Sequence, residues 1–319
     1  MTASRLRLRV LGSGAGGGLP QWNCGCPPCR AARAGDPRVL SRTQSSLAVS
    51  ADGGARWVLL NASPDVRVQL ASWAAAAPPE GALRASPIAA TVLSNADLDH
   101  CLGLLILREG GAPHLYATAP TLEAIEVGLG VSTALAAYGP TKSTVLPTDA
   151  SEVAIVDRAG ADTGVRVAAF SVASKVPPYA AARGLGKGRG ELDGDTVGLL
   201  VKSAAGGRVL AYVPGVRDLD ERLAGYLSRA DVIFIDGTFF TNDEMTSLGL
   251  TTRDARAMGH APLSGEHGIV SFLGRFTAAE RWLVHINNTN PIHFSDSPER
   301  AWVESRGVRV SYDGLELEV

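Results

Sequence analysis

The stretch Ser94-Asn95-Ala96-Asp97-Leu98-Asp99-His100 decides the predicted fold of this chain. It follows the apolar run IAATVL at 88–93, which is partly β-branched, and it precedes the apolar run CLGLLIL at 101–107. This order predicts a strand that ends in a polar loop, followed at once by a helix. The polar side chains would then project from the carboxyl end of a strand, where layered α/β proteins form their clefts.

Two interpretations of this loop remain open when its residues are taken alone. The adjacent Asp99 and His100 offer a carboxylate and an imidazole, a pair that suits a divalent first-row metal ion. An Asp in this position is also a common helix cap, and capping by Asp97 or Asp99 explains the pattern about equally well. The loop is therefore either a metal site or a helix start.

The loop resembles the Thr/Ser-His-x-His-x-Asp-His motif of the metallo-β-lactamase superfamily. Asn95 and Asp97 stand where that motif has its two early histidines, whereas Asp99 and His100 match it. In the superfamily the early histidines bind one metal ion, and the Asp-His pair binds a second. The resemblance implies an α/β (α+β) fold, an αββα sandwich of two mixed β-sheets flanked by helices. It also implies that one metal site is lost and the other is kept.

Organisation along the rest of the chain agrees with this fold class. Apolar strand-like runs alternate with helical segments, among them predicted helices over residues 120–131 and 264–276. No linker divides the sequence and no simple tandem repeat is visible. We therefore predict one domain over residues 1–319.

Three further ionisable residues follow apolar segments. Asp236 follows Val-Ile-Phe-Ile, His285 follows Arg-Trp-Leu-Val, and His260 lies in a Gly-His-Ala turn. Each residue taken singly is more readily a turn former or a structural side chain. In the superfamily, however, a later Asp bridges the metal ions and a terminal His completes the second site. The resemblance thus implies a ligand set of Asp99, His100, Asp236 and His285.

The residues of the other superfamily site are replaced throughout. The histidine expected after the long β segment has Lys175 in its place, alongside Asn95 and Asp97. A dinuclear hydrolase is therefore disfavoured. One ion held by two histidines and two carboxylates has the mixed ligation of non-haem Fe(II) enzymes, and the set favours iron. A lone zinc ion that activates water is the alternative.

Three of the four cysteines lie within six residues, at Cys24, Cys26 and Cys29. This spacing is too compact for a routine disulfide framework, and three thiolates make a partial cage for tetrahedral Zn(II). We predict a structural zinc knuckle at residues 24–29; a redox pair or unligated thiols is the alternative. The sequence leaves three residues open as the fourth ligand: His293, Asn288 and Cys101.

Two glycine-rich segments stand out. The first, GSGAGGG at 12–18, follows the first predicted strand, but no acidic ribose-binding partner follows it, which disfavours nucleotide binding. A tight turn that brings this loop and the cysteines near the cleft is favoured instead. The second, near 183–194, is long and basic, and we predict that it is a lid over a substrate.

Composition limits the partners and the compartment. The chain has 319 residues, of which 45% are hydrophobic and 19% charged, with a net charge of -2. This near-neutral balance gives no indication of nucleic-acid binding. The sequence has no apolar run long enough for a membrane span and no signal-peptide pattern at its start. We therefore expect a cytoplasmic protein with no membrane or nucleic-acid partner.

Further motifs along nearly the whole chain resemble the family of pyrroloquinoline quinone (PQQ) biosynthesis protein B. They are QWNCGCPPC at 21–29, RTQSS at 42–46, NASPD at 61–65, MGH at 258–260, EHG at 266–268 and HINNTNP at 285–291. The resemblance implies a cytoplasmic non-haem iron oxygenase that uses Fe(II) and O2 and works with other PQQ-pathway proteins. Its reaction would hydroxylate the tyrosine of a Glu-Tyr unit, cut from a precursor peptide, to a catechol.

In this scheme the four predicted ligands hold iron, and the surrounding residues take other roles. His260 is a further ligand or a proton shuttle near the phenol. Asp97 and Lys175 act in catalysis, either paired or in contact with the charged ends of the substrate. The expected substrate-binding residues are Asn95, Arg42, Arg183 and Arg189. Two other functions stay open: a mononuclear zinc hydrolase and a non-catalytic carrier of PQQ or its precursor.

Overall fold

The computed structural model describes residues 5–319, so residues 1–4 of the predicted domain lie outside the described residues. In chain order the strands are β1 (Arg7–Gly12), β2 (Ser46–Ser50), β3 (Trp57–Leu60), β4 (Ile88–Val92), β5 (His114–Ala117), β6 (Ser143–Val145), β7 (Asp149–Val156), β8 (Asp162–Ser171), β9 (Val197–Ser203), β10 (Leu210–Val213), β11 (Val232–Asp236), β12 (Glu280–Val284), β13 (Val308–Val310) and β14 (Glu316–Glu318). They form two seven-stranded sheets, with the orders β14-β1-β2-β3-β4-β5-β6 and β13-β12-β11-β10-β9-β8-β7.

Short helices connect and cover these strands. The α-helices are α1 (Pro27–Arg33), α2 (Val66–Ala71), α3 (Leu98–Cys101), α4 (Gly103–Ile106), α5 (Ala119–Glu123), α6 (Val131–Ala136), α7 (Pro178–Ala182), α8 (Glu221–Leu227), α9 (Glu244–Ser247), α10 (Ile269–Leu273) and α11 (Pro298–Glu304). Single 3₁₀ turns lie at Ala74–Ala76, Leu107–Gly110, Arg256–Met258 and Pro291–His293. Within residues 5–319, no helix is long and apolar enough to cross a lipid bilayer.

The two sheets repeat one pattern of strand pairing. Strands β14 to β3 pair antiparallel and β3 to β6 pair parallel. In the second sheet, β7 to β10 pair antiparallel and β10 to β13 pair parallel. Consequently β4 and β11 occupy the same place in their sheets, each between two parallel neighbours. Each of these strands leads into the residues that the sequence singled out as metal ligands.

One apolar core lies between the sheets, and others lie beneath the helices. In β1 the arginines alternate with Leu8 and Val10, which are buried against residues of the other sheet such as Phe234. The outer face of the second sheet buries Ile233 and Ile235 together with side chains of α8, α10 and α11. Helices α3 to α7 cover the outer face of the first sheet. The predicted αββα sandwich of two mixed sheets is confirmed.

The helix predicted over residues 120–131 is divided in the structure. The α-helix Ala119–Glu123 passes into a π-helical turn at Ala124–Gly128. Gly130 then adopts φ 69°, a left-handed conformation that glycine takes readily and that ends the helix. A separate helix, α6, begins at Val131.

The helix predicted over residues 264–276 is much shorter in the structure, where only Ile269–Leu273 is α-helical. Gly265 has φ 91°, which is incompatible with a continuous right-handed helix. The Ile269 amide also bonds to the carbonyl of Pro262 at 2.9 Å instead of a helical partner. The prediction of the first turn was therefore wrong.

Candidate metal centre

Residues from both sheets meet at one edge of the sandwich. Asp99 and His100 lie in α3, just after β4 of the first sheet. Asp236 is the last residue of β11, and His285 follows β12, its parallel neighbour in the second sheet. The amide of Val197 in β9 donates to the carbonyl of Ser94 at 2.8 Å and so ties the loop to the second sheet.

Three of the predicted ligands form a compact group. The ligand atoms of Asp99, His100 and His285 all lie within 4.8 Å of one another. Asp99 Oδ2 is 3.1 Å from His285 Nε2 and 3.8 Å from His100 Nε2. Although burial opposes it, the neighbouring imidazoles of His100 and His285 hold the pKa of Asp99 far below its usual range. The carboxylate is therefore ionised and available to a cation.

The Nε2 atom of His100 is the clearest indication of a metal ion. It is buried and has no hydrogen-bond partner in the described part of the chain, a costly arrangement for a polar atom. Burial lowers the pKa of His100 to about 4, so the ring is neutral and carries a lone pair. A bound cation would satisfy this nitrogen. The residues present thus fit a metal ion held by two imidazoles and a carboxylate.

Asp236 lies outside this compact group and belongs to a second one. Asp236, His260 and His285 have ligand atoms within 4.8 Å of one another, so the two groups share His285. Asp236 Oδ2 accepts bonds from Nδ1 of His260 at 2.7 Å and from the amide of Val216 at 3.0 Å. Burial opposes its ionisation, but His260 and His285 still lower the pKa of Asp236. The predicted four-residue ligand set is thus divided between the two groups.

Thr238 is a central residue that the sequence reasoning missed. Its Oγ1 lies 2.5 Å from Asp236 Oδ1, 2.9 Å from His285 Nδ1 and 3.1 Å from His260 Nδ1. One hydroxyl therefore contacts all three members of the second group. The available signal was the tripeptide Asp236-Gly-Thr238, in which a hydroxyl follows a candidate ligand by two residues.

The residues that replace the early histidines interact with each other and with His100. Asn95 Oδ1 lies 2.6 Å from His100 Nδ1, and Asn95 Nδ2 donates to Asp97 Oδ2 at 2.9 Å. Both ends of the buried Asn95 carboxamide are thus used within the loop, which does not support the expectation that Asn95 binds substrate. Burial, followed by the charge of Asp99, raises the pKa of Asp97.

Lys175 is half-buried beside this loop. Its Cε and Cδ lie 3.6 and 3.7 Å from where a Cβ on Gly259 would be, next to His260. Within residues 5–319 its ammonium forms no ion pair, so the expected pair with Asp97 is absent. Burial lowers the pKa of Lys175, while the charge of Asp97 opposes the shift. An unpaired cation therefore remains at the edge of the centre.

The three predicted substrate-binding arginines are engaged elsewhere. Arg42 is buried and donates to Ser13 Oγ at 2.7 Å, to His293 Nδ1 at 3.1 Å and to the carbonyl of Ser311. These bonds give Arg42 a structural role in place of substrate binding.

Both arginines of the predicted lid contact the protein. Arg183 donates to the carbonyl of Val127 at 3.2 Å and is otherwise exposed. Arg189 is paired with Asp195 at 2.9 Å and with Glu123 at 2.5 Å, so its charge is already balanced. These contacts anchor the segment near 183–194 to the body of the protein, and its role as a lid stays a prediction.

The glycine-rich loop borders the metal centre, as expected. A Cβ on Gly16 would lie 3.4 Å from Asp99 Oδ2, so the backbone approaches the carboxylate closely. The amide of Ala15 donates to the carbonyl of Ile286 at 2.9 Å, and the Ile286 amide donates to Ser13 at 3.0 Å. The loop is thus bonded to the residue that follows His285.

The cysteines form a second candidate site. The Sγ atoms of Cys24, Cys26 and Cys29 lie within 4.8 Å of one another. The Asn288 carboxamide nitrogen lies 3.1 Å from Cys24 Sγ and 3.4 Å from each of the other two. Burial raises the pKa of Cys26 to about 12, a cost that a cation would remove by stabilising the thiolate. The cluster fits zinc.

Of the three residues left open as the fourth zinc ligand, only Asn288 contacts the sulfurs. His293 instead bonds to Arg42 and, at 2.8 Å, to the carbonyl of Asn287. The thiol of Cys101 faces the carbonyl of Ala96 at 3.6 Å, beside the other centre. Because the two ends of a carboxamide can exchange by rotation, the Asn288 oxygen can take the place its nitrogen occupies here.

Comparison with known proteins identifies the family. Residues 56–286 match the model of the β-lactamase superfamily domain. Coenzyme PQQ synthesis protein B of Azoarcus sp. (strain BH72) is 42% identical over 316 residues, covering 98% of this chain and 100% of that protein. The chain belongs to the coenzyme PQQ synthesis protein B family. The relative from Methylorubrum populi is 44% identical over 314 residues, with 98% and 100% covered.

A solved member of the coenzyme PQQ synthesis protein B family has the same fold. The crystal structure of Zn(2+)-bound PqqB from Methylobacterium extorquens matches with a TM-score of 0.85 and 41% identity, covering 98% of this chain and 100% of that one. The resemblance stated from sequence motifs is thus confirmed over nearly the full length. The bound zinc is a property of that relative.

Proposed function

We propose that this protein acts in PQQ biosynthesis as an iron- and O2-dependent hydroxylase. Its substrate would be the tyrosine of a Glu-Tyr unit, which it converts to a catechol. The family membership supports the pathway. The observation that carries the chemistry is the unpartnered Nε2 of His100 beside Asp99 and His285. It supports one metal ion with mixed ligation and open positions.

Asp99, His100 and His285 would hold Fe(II), and Cys24, Cys26, Cys29 and Asn288 would hold a structural Zn(II). Bound iron supplies the activation of O2. Asp236 supports the site through its bonds to His260 and Thr238 rather than as a fourth ligand.

His260 is the residue best suited to manage a proton at the substrate. Its Nδ1 is fixed by Asp236 at 2.7 Å, and its side chain is 19% exposed, more than those of His100 and His285 at 1% and 7%. Its Nε2 can therefore exchange a proton with a phenol without losing the ring's orientation. We therefore assign proton transfer to His260, and iron binding to Asp99, His100 and His285.

Lys175 would bind a carboxylate of the substrate. Its half-buried ammonium has no ion-pair partner in the described part of the chain, whereas a Glu-Tyr unit carries carboxylates. Pairing with an anion would offset the desolvation that lowers the pKa of Lys175. The charge of Asp97 also acts on Lys175. Asp97 would bind the ammonium group of the substrate.

The overall reaction needs two electrons from an external reductant. One oxygen atom of O2 becomes the new phenolic hydroxyl, and the other leaves as water with two protons. Acidic and basic groups at the edge of the site, chiefly His260, can move the proton released from the ring carbon.

The test is an oxygen-free purification followed by loading with Fe(II). A glutamate-tyrosine dipeptide is then incubated with O2 and ascorbate, and mass spectrometry measures the gain of one oxygen atom. Zinc-loaded protein and the double variant Asp99→Ala with His100→Ala serve as controls. Catechol formed only by the iron-loaded wild type supports the proposal. No catechol with any of several reductants would overturn it.

A mononuclear zinc hydrolase is the second candidate, favoured by the Zn(2+)-bound relative. It predicts that zinc-loaded protein cleaves peptides containing Glu-Tyr, and the same assay detects that product. A non-catalytic carrier predicts tight PQQ binding that the double variant retains.

A further inference from the structure

Asn95 and Asp97 stand where the superfamily motif has its early histidines, and they form a chain of hydrogen bonds that ends on His100. The chain runs from Asp97 through Asn95 to Nδ1 of His100. We infer that Asn95 is a positioning residue that fixes the tautomer and orientation of His100 for metal binding, with Asp97 fixing Asn95. This inference rests on the metal site of the proposed function, although not on its chemistry.

The orientation of the Asn95 carboxamide follows from its neighbours. The backbone amide of Asp97 donates to Asn95 Oδ1 at 3.1 Å, and Asn95 Nδ2 donates to the Asp97 carboxylate at 2.9 Å. The opposite orientation would set Oδ1 against a carboxylate and Nδ2 against an amide hydrogen. Those contacts are repulsive, so the oxygen must face His100.

The tautomer of His100 follows in turn. An amide oxygen only accepts, so at 2.6 Å from Asn95 Oδ1 the Nδ1 atom must carry the proton. The lone pair of the neutral ring is then on Nε2, the buried atom that has no hydrogen-bond partner within residues 5–319. A second polar atom near Nδ1, Ser94 Oγ, is farther away at 3.5 Å.

This arrangement gives the buried, polar Asn95 side chain a role in the loop. Metal-binding imidazoles generally donate their other nitrogen to a fixed acceptor, and removing that acceptor weakens metal binding. Asn95 and Asp97 supply this support from positions where a dinuclear site would need histidines. Asn95 and Asp97 thus support a ligand of the metal site without binding the metal ion themselves.

The experiment compares Asn95→Leu, which lacks an acceptor at similar volume, with the double variant Asn95→Asp with Asp97→Asn, which keeps the acceptor and the hydrogen bond between residues 95 and 97. Cys101→Ala is the matched control, because Cys101 is buried beside His100 but its thiol faces Ala96. Zinc first fills the cysteine site, and Co(II) is then titrated against a chelator. ¹⁵N NMR of the metal-free proteins reports the His100 tautomer.

We expect Asn95→Leu to weaken Co(II) binding about 10- to 100-fold and to lose the Nδ1-protonated form. The double variant Asn95→Asp with Asp97→Asn should keep the Nδ1-protonated form and bind Co(II) at least as tightly as wild type, and Cys101→Ala should stay close to wild type in both measurements. Folded Asn95→Leu with wild-type affinity and tautomer would overturn the inference; Asn95→Ala gives the same comparison if the leucine variant does not fold. If instead the double variant Asp99→Ala with His100→Ala keeps the Co(II) affinity, the proposed metal site itself fails.

Discussion

The hydroxyl oxygen of Thr238 lies 2.9 Å from Nδ1 of His285 and 2.9 Å from that residue's own carbonyl oxygen. His285 adopts φ 60°, a left-handed conformation that costs free energy for most residues other than glycine. The same hydroxyl is 2.5 Å from Asp236 Oδ1. Thr238 therefore links the imidazole of His285 to the buried carboxylate of Asp236 and directs His285 Nε2 towards Asp99.

This contact predicts different metal affinities for two substitutions of Thr238. Thr238→Val keeps the shape of the side chain but removes the hydroxyl, so we expect metal binding to weaken about 10-fold or more. Thr238→Ser keeps the hydroxyl and should bind metal nearly as wild type does. Chelator competition with Co(II) in zinc-filled protein measures both affinities. Equal affinities for the two variants would mean that the hydroxyl does not orient His285.

The cysteine knuckle predicts a second, separable metal ion. Cys29→Ser should lower the zinc content by one ion per chain, because the cluster then offers fewer thiolates. The same variant should melt several degrees lower, since a metal that binds only the folded state stabilises it. Elemental analysis and thermal unfolding measure these effects. Cys101→Ser is the control, and a zinc loss there as large as in Cys29→Ser would contradict the assignment.

His260 offers a test that separates a proton shuttle from a ligand. His260→Gln removes the imidazole that would transfer the proton, so we expect kcat for catechol formation to fall about 100-fold or more while Fe(II) affinity stays near wild type. Steady-state kinetics and anaerobic iron titration give the two numbers. A parallel loss of iron would make His260 a ligand instead.

The parts of this site that the sequence predicted are those encoded locally. Strand β4, its polar loop and α3 follow one another in the chain, so periodicity and motif spacing place Asp99 and His100 correctly. His285 was found in the same way, as a polar residue directly after a strand. The αββα class also followed from this local alternation and from the resemblance.

The contacts that the sequence did not predict join distant segments. Arg42 bonds to residues 251 and 269 positions away, so nothing near it indicates that its guanidinium is buried. Thr238 acts through His285, which is 47 positions away. The sequence did not show that Asn95 contacts His100, because this contact depends on the side-chain rotamers in the folded loop. Such roles require tertiary geometry.

A buried carboxyl group beside the His285–Pro291 segment predicts how stability depends on pH. Glu244 accepts bonds from the amide of Phe240 at 2.6 Å and from the hydroxyl of Thr289 at 2.5 Å. Burial raises the pKa of Glu244 to about 7, from an ordinary 4.5. The folded state therefore binds this proton more tightly than the unfolded state does.

The sign of the effect follows from that difference. Because the folded pKa of Glu244 is raised, stability should fall as pH rises from about 4.5 to about 7, and then level off. At about 1.4 kcal/mol per pH unit, the total is on the order of 3 kcal/mol. Glu244→Gln cannot ionise, so it should remove this slope and be more stable than wild type at pH 8.

Urea unfolding between pH 5 and 8 measures the free energies of unfolding, and Glu80→Gln, at an exposed position, is the matched control. If Glu244→Gln and Glu80→Gln retain the same slope, ionisation of Glu244 does not set the pH dependence.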